Sequence, residues 1–306
     1  MPDIVISEFM DGAAVREGLA GFDVVYDPTL VDRPSELIRL VESARALIVR
    51  NRTQVRGPLL EAAARLRVVG RLGVGLDNID LLACERRQIS VYPATGANDR
   101  SVAEHVICTA MMLLRGAYAS TSRVAAGEWP REALIGREVG GKVLGLVGFG
   151  SIAKQTAMLA QAMGMHVIAY DPYTDDLQFS MANVEKRQLS ALLAEADVVS
   201  LHVPLTKETT NLIDGAALQL MKPNGILINA SRGGVVDEAA VVQALIASKL
   251  GGAALDVFAK EPLELGGISE NVPNLILTPH IAGVTDESNV RVSWVTVTNV
   301  KKALNA

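Results

Sequence analysis

The stretch VLGLVGFGSIA, residues 143–153, passes from a run of apolar residues through two glycines into a segment rich in Ala, Gln and Met. A short strand that is apolar throughout fits a parallel sheet covered on both faces. The pattern that follows, Gly148-x-Gly150-x-x-Ala153, has the spacing of a strand-to-helix turn that holds a pyrophosphate. Gly148 permits the tight turn, Gly150 lets a phosphate approach the backbone, and Ala153 lets helix and strand pack closely. The N–H groups at Ser151 and Ile152 open the helix and meet an anion with the favourable end of its dipole. A second strand, HVIAYDPY (166–173), carries Asp171. An acid about 20 residues beyond the first glycine can accept from both ribose hydroxyls of an adenosine and repel a 2′-phosphate. Pro172 and Tyr173 follow it, with no arginine directly after, so the pattern favours NAD over NADP. Taken alone, Asp171 would read as a turn residue ahead of Pro172, but strand, loop, helix and acid stand in the required order.

Outward from this segment the same alternation recurs. Apolar runs at 4–6, 24–26, 46–49, 68–71 and 90–92 alternate with helical periodicity at 35–42, 57–64 and 79–87. A second series has strands at 143–147, 167–170, 198–201, 226–229, 252–255 and 275–277, with helices at 151–163, 215–221, 238–247 and 287–304. Two doubly wound α/β units of parallel strands are expected. Between the series, residues 101–115 predict a long helix in which Ser101 caps and Glu104 completes a capping box. Residues 116–141, with Trp129 and Pro130, then lose apolar periodicity. A stretch that long needs a reason; it is a surface excursion or, in the favoured reading, an arm that packs on a second subunit.

Composition limits the function. The 306 residues fit about two domains. With a formal net charge of −5, 49 % hydrophobic and 21 % charged residues, the chain suits a globular protein and not a nucleic-acid binder, which needs a basic face. Mean hydropathy is +0.26, yet the longest apolar run, 106–114, is far below the roughly 18 residues of a membrane span. The N-terminus has no basic segment before an apolar core, so no signal peptide is expected. Cys84 and Cys108 lack any metal-binding spacing and fit a reducing cytoplasm. No metal is expected.

In open parallel sheets the ligand lies beyond the carboxyl ends of the strands. Arg232 in NASRGGVVDE (229–238), Asp256 and Glu261 in ALDVFAKEP (254–262), and His280 in TPHIAG (278–283) each follow a strand of the second series. Hydride transfer to or from an alcohol needs a group that takes or gives the hydroxyl proton, and imidazole does both near neutrality. A carboxylate such as Glu261 would fix the ring and favour its charged form. Arg232 can grip a substrate carboxylate with a bidentate fork and polarise the adjacent carbonyl. The plainer alternatives are a solvated loop acid and a surface arginine. Pro262 beside the one and Gly233–Gly234 beside the other speak for shaped backbone. His105 reads as a packing residue, His166 as solvated, and His202 as lining the cofactor cleft.

These residues carry a resemblance. The chain resembles the D-2-hydroxyacid dehydrogenases of the phosphoglycerate dehydrogenase-like group over nearly its whole length. The segments are GRLGVGLDNID (70–80), ANDRSVAEH (97–105), Trp129 before GREVGGK (136–142), VGFGSIA, VSLHVPLTKETTNLI (199–213), NASRGGVVDE, ALDVFAKEP and HIAGVT (280–285). The resemblance implies a Rossmann-like coenzyme domain at 98–283, with the dimerisation arm, and a discontinuous, flavodoxin-like substrate domain at 1–97 and 284–306. It implies a cytoplasmic homodimer using NAD. His280 would be the acid/base, Glu261 its orienting acid and Arg232 the carboxylate holder. Val203, Ala230 and Asp256 would fall beside the nicotinamide and adenosine, and the backbone at Gly73, Val74 and Gly75 would meet the substrate carboxylate. A C-terminal regulatory domain like that of some members is expected to be absent.

In VRNRTQV (49–55), Arg50 and Arg52, with Arg71 nearby, would supply positive charge for a second anionic group: a phosphate, a sulfonate or another carboxylate. Equally open is that both arginines are solvated or paired with acids. The expected activity is dehydrogenation of a small dianionic 2-hydroxyacid such as 3-phosphoglycerate or sulfolactate. The alternatives are a reductase of simple 2-oxoacids such as glyoxylate or hydroxypyruvate, a formate-type dehydrogenase, against which Glu261 stands where a glutamine is expected, and a non-catalytic NAD(H)-sensing scaffold.

Overall fold

A computed structural model describes residues 2–116, 120–268 and 271–305. The chain divides into two compact units, Met1–Asn98 with Val284–Ala306, and Asp99–Gly283.

The first unit is built on a five-stranded sheet in the order β2-β1-β3-β4-β5, with every pairing parallel. Its strands are β1 (Ile4–Ile6), β2 (Val24–Tyr26), β3 (Ala46–Val49), β4 (Val68–Arg71) and β5 (Ser90–Pro93). This is the flavodoxin-like order. Side chains alternate along each strand between two apolar layers. Val5, Leu47, Val49 and Val69 face α1 (Pro34–Val41), α2 (Gly57–Ala62) and α3 (Leu81–Arg86). Ile4, Ile6, Ala46, Ile48 and Val68 face the last helix, Asp286–Asn305, and a π-helical turn at Ala14–Gly18. Thr285 and Ser288 cap that last helix reciprocally, each hydroxyl accepting from the other's backbone N–H at 2.9–3.0 Å.

The second unit opens with α4 (Asp99–Arg115) and the short α5 (Thr121–Ala125). Its seven parallel strands run β12-β11-β10-β9-β6-β7-β8. The elements are β6 (Val143–Val147), α6 (Ser151–Ala162), β7 (His166–Tyr170), α7 (Asp176–Met181), β8 (Glu185–Lys186), α8 (Leu189–Glu195), β9 (Val198–Leu201), α9 (Gly215–Leu220), β10 (Ile226–Asn229), α10 (Glu238–Ile246), β11 (Gly252–Leu255) and β12 (Leu275–Leu277). Read from β6, this is the Rossmann order with one added strand, and the order reverses between β6 and β9. Leu144 and Leu146 pack towards α4, α6 and α7, while Val147, Val199 and Leu201 pack towards α8, α9 and α10.

The structure corrects one detail of the expected α4. The helix begins at Asp99, so Ser101 is a buried residue of the first turn and not its cap. Glu104 pairs with Arg100 instead. Residues 117–119 of the expected arm lie outside the described residues. Further along it, Trp129 is 76 % exposed and Ile135 is exposed. Among the described residues, no helix is long and apolar enough to cross a membrane.

Candidate active site

Every candidate in the second unit lies where the strand pattern puts it, at the carboxyl ends of parallel strands. After β6, Gly148 takes a left-handed φ of +92°, and a Cβ there would lie 2.5 Å from the His202 carbonyl oxygen. Only glycine lets the loop after β6 pass so close to the loop after β9. At Gly150 an added Cβ would meet nothing within 4 Å, so the loop has open space on that side. Ser151 and Ile152 follow as the first turn of α6, whose N–H groups point out of the loop. The shape suits a pyrophosphate, and these residues fit an NAD.

Asp171 ties this loop to the end of β7. Its Oδ2 accepts from the Phe149 N–H at 2.8 Å, and its Oδ1 accepts from Tyr173 and Thr174 at 2.8 and 3.1 Å. Burial works against its charge, but those three backbone donors outweigh it and hold the carboxyl below the usual range. The side chain stays anionic beside the glycine loop, as a group that excludes a 2′-phosphate must. Phe149 stacks on Phe179 at 4.7 Å between ring centres, anchoring the loop to α7. His202 Nε2 lies within hydrogen-bond reach of the buried Ser200 Oγ, at 3.0 Å. Burial pushes its pKa down to about 4, so the ring is neutral near pH 7. Val203 follows it, half-buried.

The three residues expected to do chemistry sit after β10, β11 and β12, which are neighbours in the sheet. His280 Nδ1 lies 2.7 Å from Glu261 Oε2, with the side chains 40 % and 33 % exposed. The other carboxylate oxygen, Oε1, accepts from the Phe258 N–H at 3.0 Å, so Glu261 is pinned to its own loop. Arg232 reaches this loop through its neighbour. A Cβ on Gly233 would come within 1.8 Å of the Phe258 carbonyl oxygen, so the 229–234 turn lies flat against the segment leading to Glu261. Asn229 shapes that turn: its Oδ1 accepts from Ser231 N–H and Oγ, and its Nδ2 donates to the Arg232 carbonyl. Ala230 and Arg232 are half-buried, and the guanidinium Nη1 donates to Ser231 O at 2.6 Å.

Asp256, expected beside the nicotinamide, is only 2 % exposed and spends its carboxylate on the chain. Oδ1 accepts from Thr278 Oγ1 at 2.6 Å and from the Ile281 N–H at 2.8 Å, and Oδ2 accepts from the Ala282 N–H at 2.8 Å. His105, on α4, is half-buried and feels the charge of Asp256. Burial lowers its proton affinity, and Asp256 opposes that.

In the first unit, the loops after β3 and β4 share one sheet edge. Gly73, Val74 and Gly75 follow β4; Gly73 is buried and Val74 exposed. Arg71 turns back to donate from Nη1 to Leu72 O. Arg50 and Arg52, expected as equivalent sources of charge, differ. Arg52 pairs with Asp32, so its charge is compensated. Arg50 donates from Nη2 to the neutral Asn289 Oδ1 at 2.6 Å and lies 5.9 Å from the Phe9 ring centre. Sequence reasoning missed the group that builds this loop. Glu8, buried, accepts from the backbone N–H groups of Arg50, Thr53 and Arg52 at 2.9, 3.0 and 3.1 Å. It missed Thr278 as well. Both act across a strand pairing, and nothing local in the sequence marks them. Among the described residues, no group of three or more His, Cys, Asp or Glu side chains could hold a metal ion.

Comparison with known proteins bears on this arrangement. Residues 107–282 match the family model described as D-isomer specific 2-hydroxyacid dehydrogenase, NAD binding domain. The chain is 54 % identical over 305 residues to the (S)-sulfolactate dehydrogenase of Chromohalobacter salexigens, covering 99 % of each. It is 38 % identical over 298 residues to the D-3-phosphoglycerate dehydrogenase of Synechocystis sp., covering 96 % of this chain and 52 % of that one. Among solved structures, the D-lactate dehydrogenase of Aquifex aeolicus, complexed with NAD and lactic acid, superposes with a TM-score of 0.84 at 29 % identity, covering 99 % of this chain and 95 % of that one. The chain therefore belongs to the D-isomer-specific 2-hydroxyacid dehydrogenases, NAD-dependent oxidoreductases that act on the CH–OH group of a 2-hydroxyacid.

Proposed function

We propose that the chain interconverts a small 2-hydroxyacid bearing a second anionic group with its 2-oxoacid, sulfolactate being the leading substrate and 3-phosphoglycerate the next. The observation that carries the chemical part is the 2.7 Å pair of His280 and Glu261, on the sheet edge that also carries the glycine loop. NAD, when bound, supplies the hydride acceptor for oxidation and, reduced, the donor for the reverse. Since Glu261 occupies Nδ1 of His280, Nε2 is the ring atom left to take the hydroxyl proton or return it. Glu261 fixes the ring plane and stabilises the imidazolium that forms. Arg232 holds the substrate carboxylate through its planar fork and places positive charge beside the reacting carbonyl.

Gly148, Gly150, Ser151, Ile152, Asp171, Val203 and Ala230 are the cofactor-binding residues of this reading, with Asp256 behind them. The second unit is the coenzyme domain and the first the substrate domain. There, the backbone at Gly73, Val74 and Gly75 meets the substrate carboxylate, and of the two arginines after β3 it is Arg50, with a neutral side-chain partner, that meets the second anion, while Arg52 is paired with Asp32. The arm after Arg115 pairs two copies of the chain into a homodimer working in the cytoplasm.

Two findings support a dianionic substrate. The curated relatives above are named for sulfolactate and phosphoglycerate, each with a second anionic group. The stereochemical labels also agree. The sulfur raises CH2SO3− above the carboxylate in priority, so the spatial arrangement called R in D-lactate is called S in sulfolactate.

The test has two parts. His280→Gln is expected to lower kcat by roughly 10²- to 10⁴-fold while NADH still binds; undiminished turnover would remove His280 from the chemistry. Initial rates compared on (S)-sulfolactate, 3-phosphoglycerate, malate and lactate are expected to favour the first. A preference for lactate would sink the dianion assignment.

A further inference from the structure

We propose that the Thr278 hydroxyl and the Asp256 carboxylate form a clamp that holds His280 in its left-handed backbone conformation, and that Thr278 is thereby a positioning residue of the reaction. The proposal rests on the reading of His280 as the acid/base.

His280 has a φ of +56°, a conformation that a residue with a side chain adopts at a cost. Such conformations persist where their surroundings over-determine them. Here the surroundings are a set of bonds to one residue of the neighbouring strand end. The His280 N–H donates to the Asp256 carbonyl at 2.8 Å and to the Thr278 carbonyl at 3.0 Å. The next two N–H groups, of Ile281 and Ala282, go to the two oxygens of the Asp256 carboxylate, both at 2.8 Å. The Thr278 hydroxyl closes the set from the other side of His280, reaching Oδ1 at 2.6 Å. Asp256 is itself fixed in the sheet by its own N–H, which donates to Asn229 O at 2.9 Å.

The residues either side of His280 are thus fastened to one buried carboxylate, and the imidazole projects from the middle of the turn. Its Nδ1 must meet an acid that a separate bond, from Phe258, holds in place. The distance between His280 and Glu261 depends on both anchors. Thr278 donates to that carboxylate from its side chain, where the other donors are backbone N–H groups. Without the hydroxyl, Oδ1 keeps the Ile281 N–H and Oδ2 the Ala282 N–H, so the carboxylate is held from the far side of His280 and loses its tie to Thr278. A misplacement near 1 Å at a proton-transferring group can cost about 10²-fold in rate.

The experiment compares Thr278→Val, which removes the hydroxyl at nearly constant shape, with Thr278→Ser, which keeps it. The readouts are the single-turnover rate of NADH oxidation by sulfopyruvate, NADH affinity from the fluorescence of the bound nucleotide, and the thermal midpoint. T278V is expected to slow the single turnover by about 10- to 100-fold, with NADH affinity within twofold and little change in midpoint; T278S is expected to restore the rate to within about threefold. A T278V rate equal to wild type would overturn the clamp. So would a T278V defect matched by equal losses in NADH affinity and midpoint, or a T278S as slow as T278V. His280→Gln in parallel separates the two levels. If it stays active, the reading of His280 fails; if it is inactive while T278V is at full rate, only the clamp fails.

Discussion

Glu8 in the first unit and Asp256 in the second are both buried carboxylates that tie down a loop on the adjacent strand: β1 pairs with β3, and β11 with β12. Glu8 takes the N–H groups of Arg50, Arg52 and Thr53; Asp256 takes those of Ile281 and Ala282 and the Thr278 hydroxyl. The device is shared, but its products differ. The Asp256 loop carries one imidazole whose partner, Glu261, is itself pinned. The Glu8 loop carries two guanidinium groups on long flexible stems with different partners. All four histidines, at 105, 166, 202 and 280, also fall in the second unit. On the proposed reading, the loop that moves a proton is fixed down to the ring atom that meets Glu261. The loop assigned to charge recognition is fixed along its backbone by Glu8, while its two guanidinium groups turn to separate partners, Asn289 and Asp32.

The comparison breaks first if Arg232, in the second unit, tolerates a change of geometry. Arg232→Lys keeps the charge but loses the fork. On the proposed reading kcat/KM should fall about 10²-fold for every 2-oxoacid tried, the worth of one strong charged hydrogen bond. Steady-state kinetics on sulfopyruvate and pyruvate check this, and a near-normal value would leave Arg232 without its role.

The histidine asymmetry makes the next largest prediction. Burial depresses the pKa of His202 to about 4 in the folded chain, against about 6.5 when unfolded. Between those values the unfolded chain binds a proton that the folded chain does not. Stability is therefore full above pH 6.5 and falls as the pH drops from there towards 4. At pH 5 the loss from this group is about 2 kcal/mol relative to pH 7.5. Urea unfolding at both pH values should show it, and His202→Gln should remove most of that difference.

Glu8→Gln probes the other side. Glutamine keeps one acceptor oxygen but turns an amide N–H towards the Arg52 N–H, which then has no acceptor there. A cost of about 1–2 kcal/mol is expected. KM for the anionic substrate should rise while kcat at saturation holds. A fall in kcat by the factor expected for T278V would mean that the two carboxylates serve the same end.

How much of this was legible in the sequence follows from where each signal lies. Strands such as Ile4–Ile6 and Val198–Leu201 are apolar at every position, because both faces of their sheets are covered. β8, two exposed polar residues at the sheet edge, has no such run and was missed. So were α7, which exposes Leu177 and Met181, and α8. At α4 the letters of a capping box were present, but Ser101 is buried inside the first turn. His280, Glu261 and Arg232 were legible because parallel strands bring their carboxyl ends to one edge, so the residue after each strand is a candidate. Glu8 and Thr278 were not, because Glu8 acts through partners 42 to 45 residues away and Thr278 through one 22 residues away, reached only when two strands pair.

The smallest effect bears most directly on substrate choice, because it separates two arginines that the sequence presents as alike. Arg52 pairs with Asp32, so its positive charge is cancelled nearby and is screened by water. Arg50 has a neutral amide as its side-chain hydrogen-bond partner and feels the Glu8 carboxylate only through space, and its guanidinium is partly withdrawn from solvent, where a charge acts more strongly on another. If the second anion is recognised by charge, Arg50 should carry it and Arg52 should not. Arg50→Met is expected to raise KM for sulfolactate roughly 10-fold, as loss of one charge-assisted hydrogen bond would, with lactate unaffected. Arg52→Met should stay within about twofold on both. The ratio of the two substrates' kcat/KM, measured in the same buffer at 50 and 500 mM added salt, removes effects on folding common to both. Equal losses in the two variants would mean that the loop presents its arginines as a diffuse field, and that the distinction between Asn289 and Asp32 as partners has no bearing on specificity.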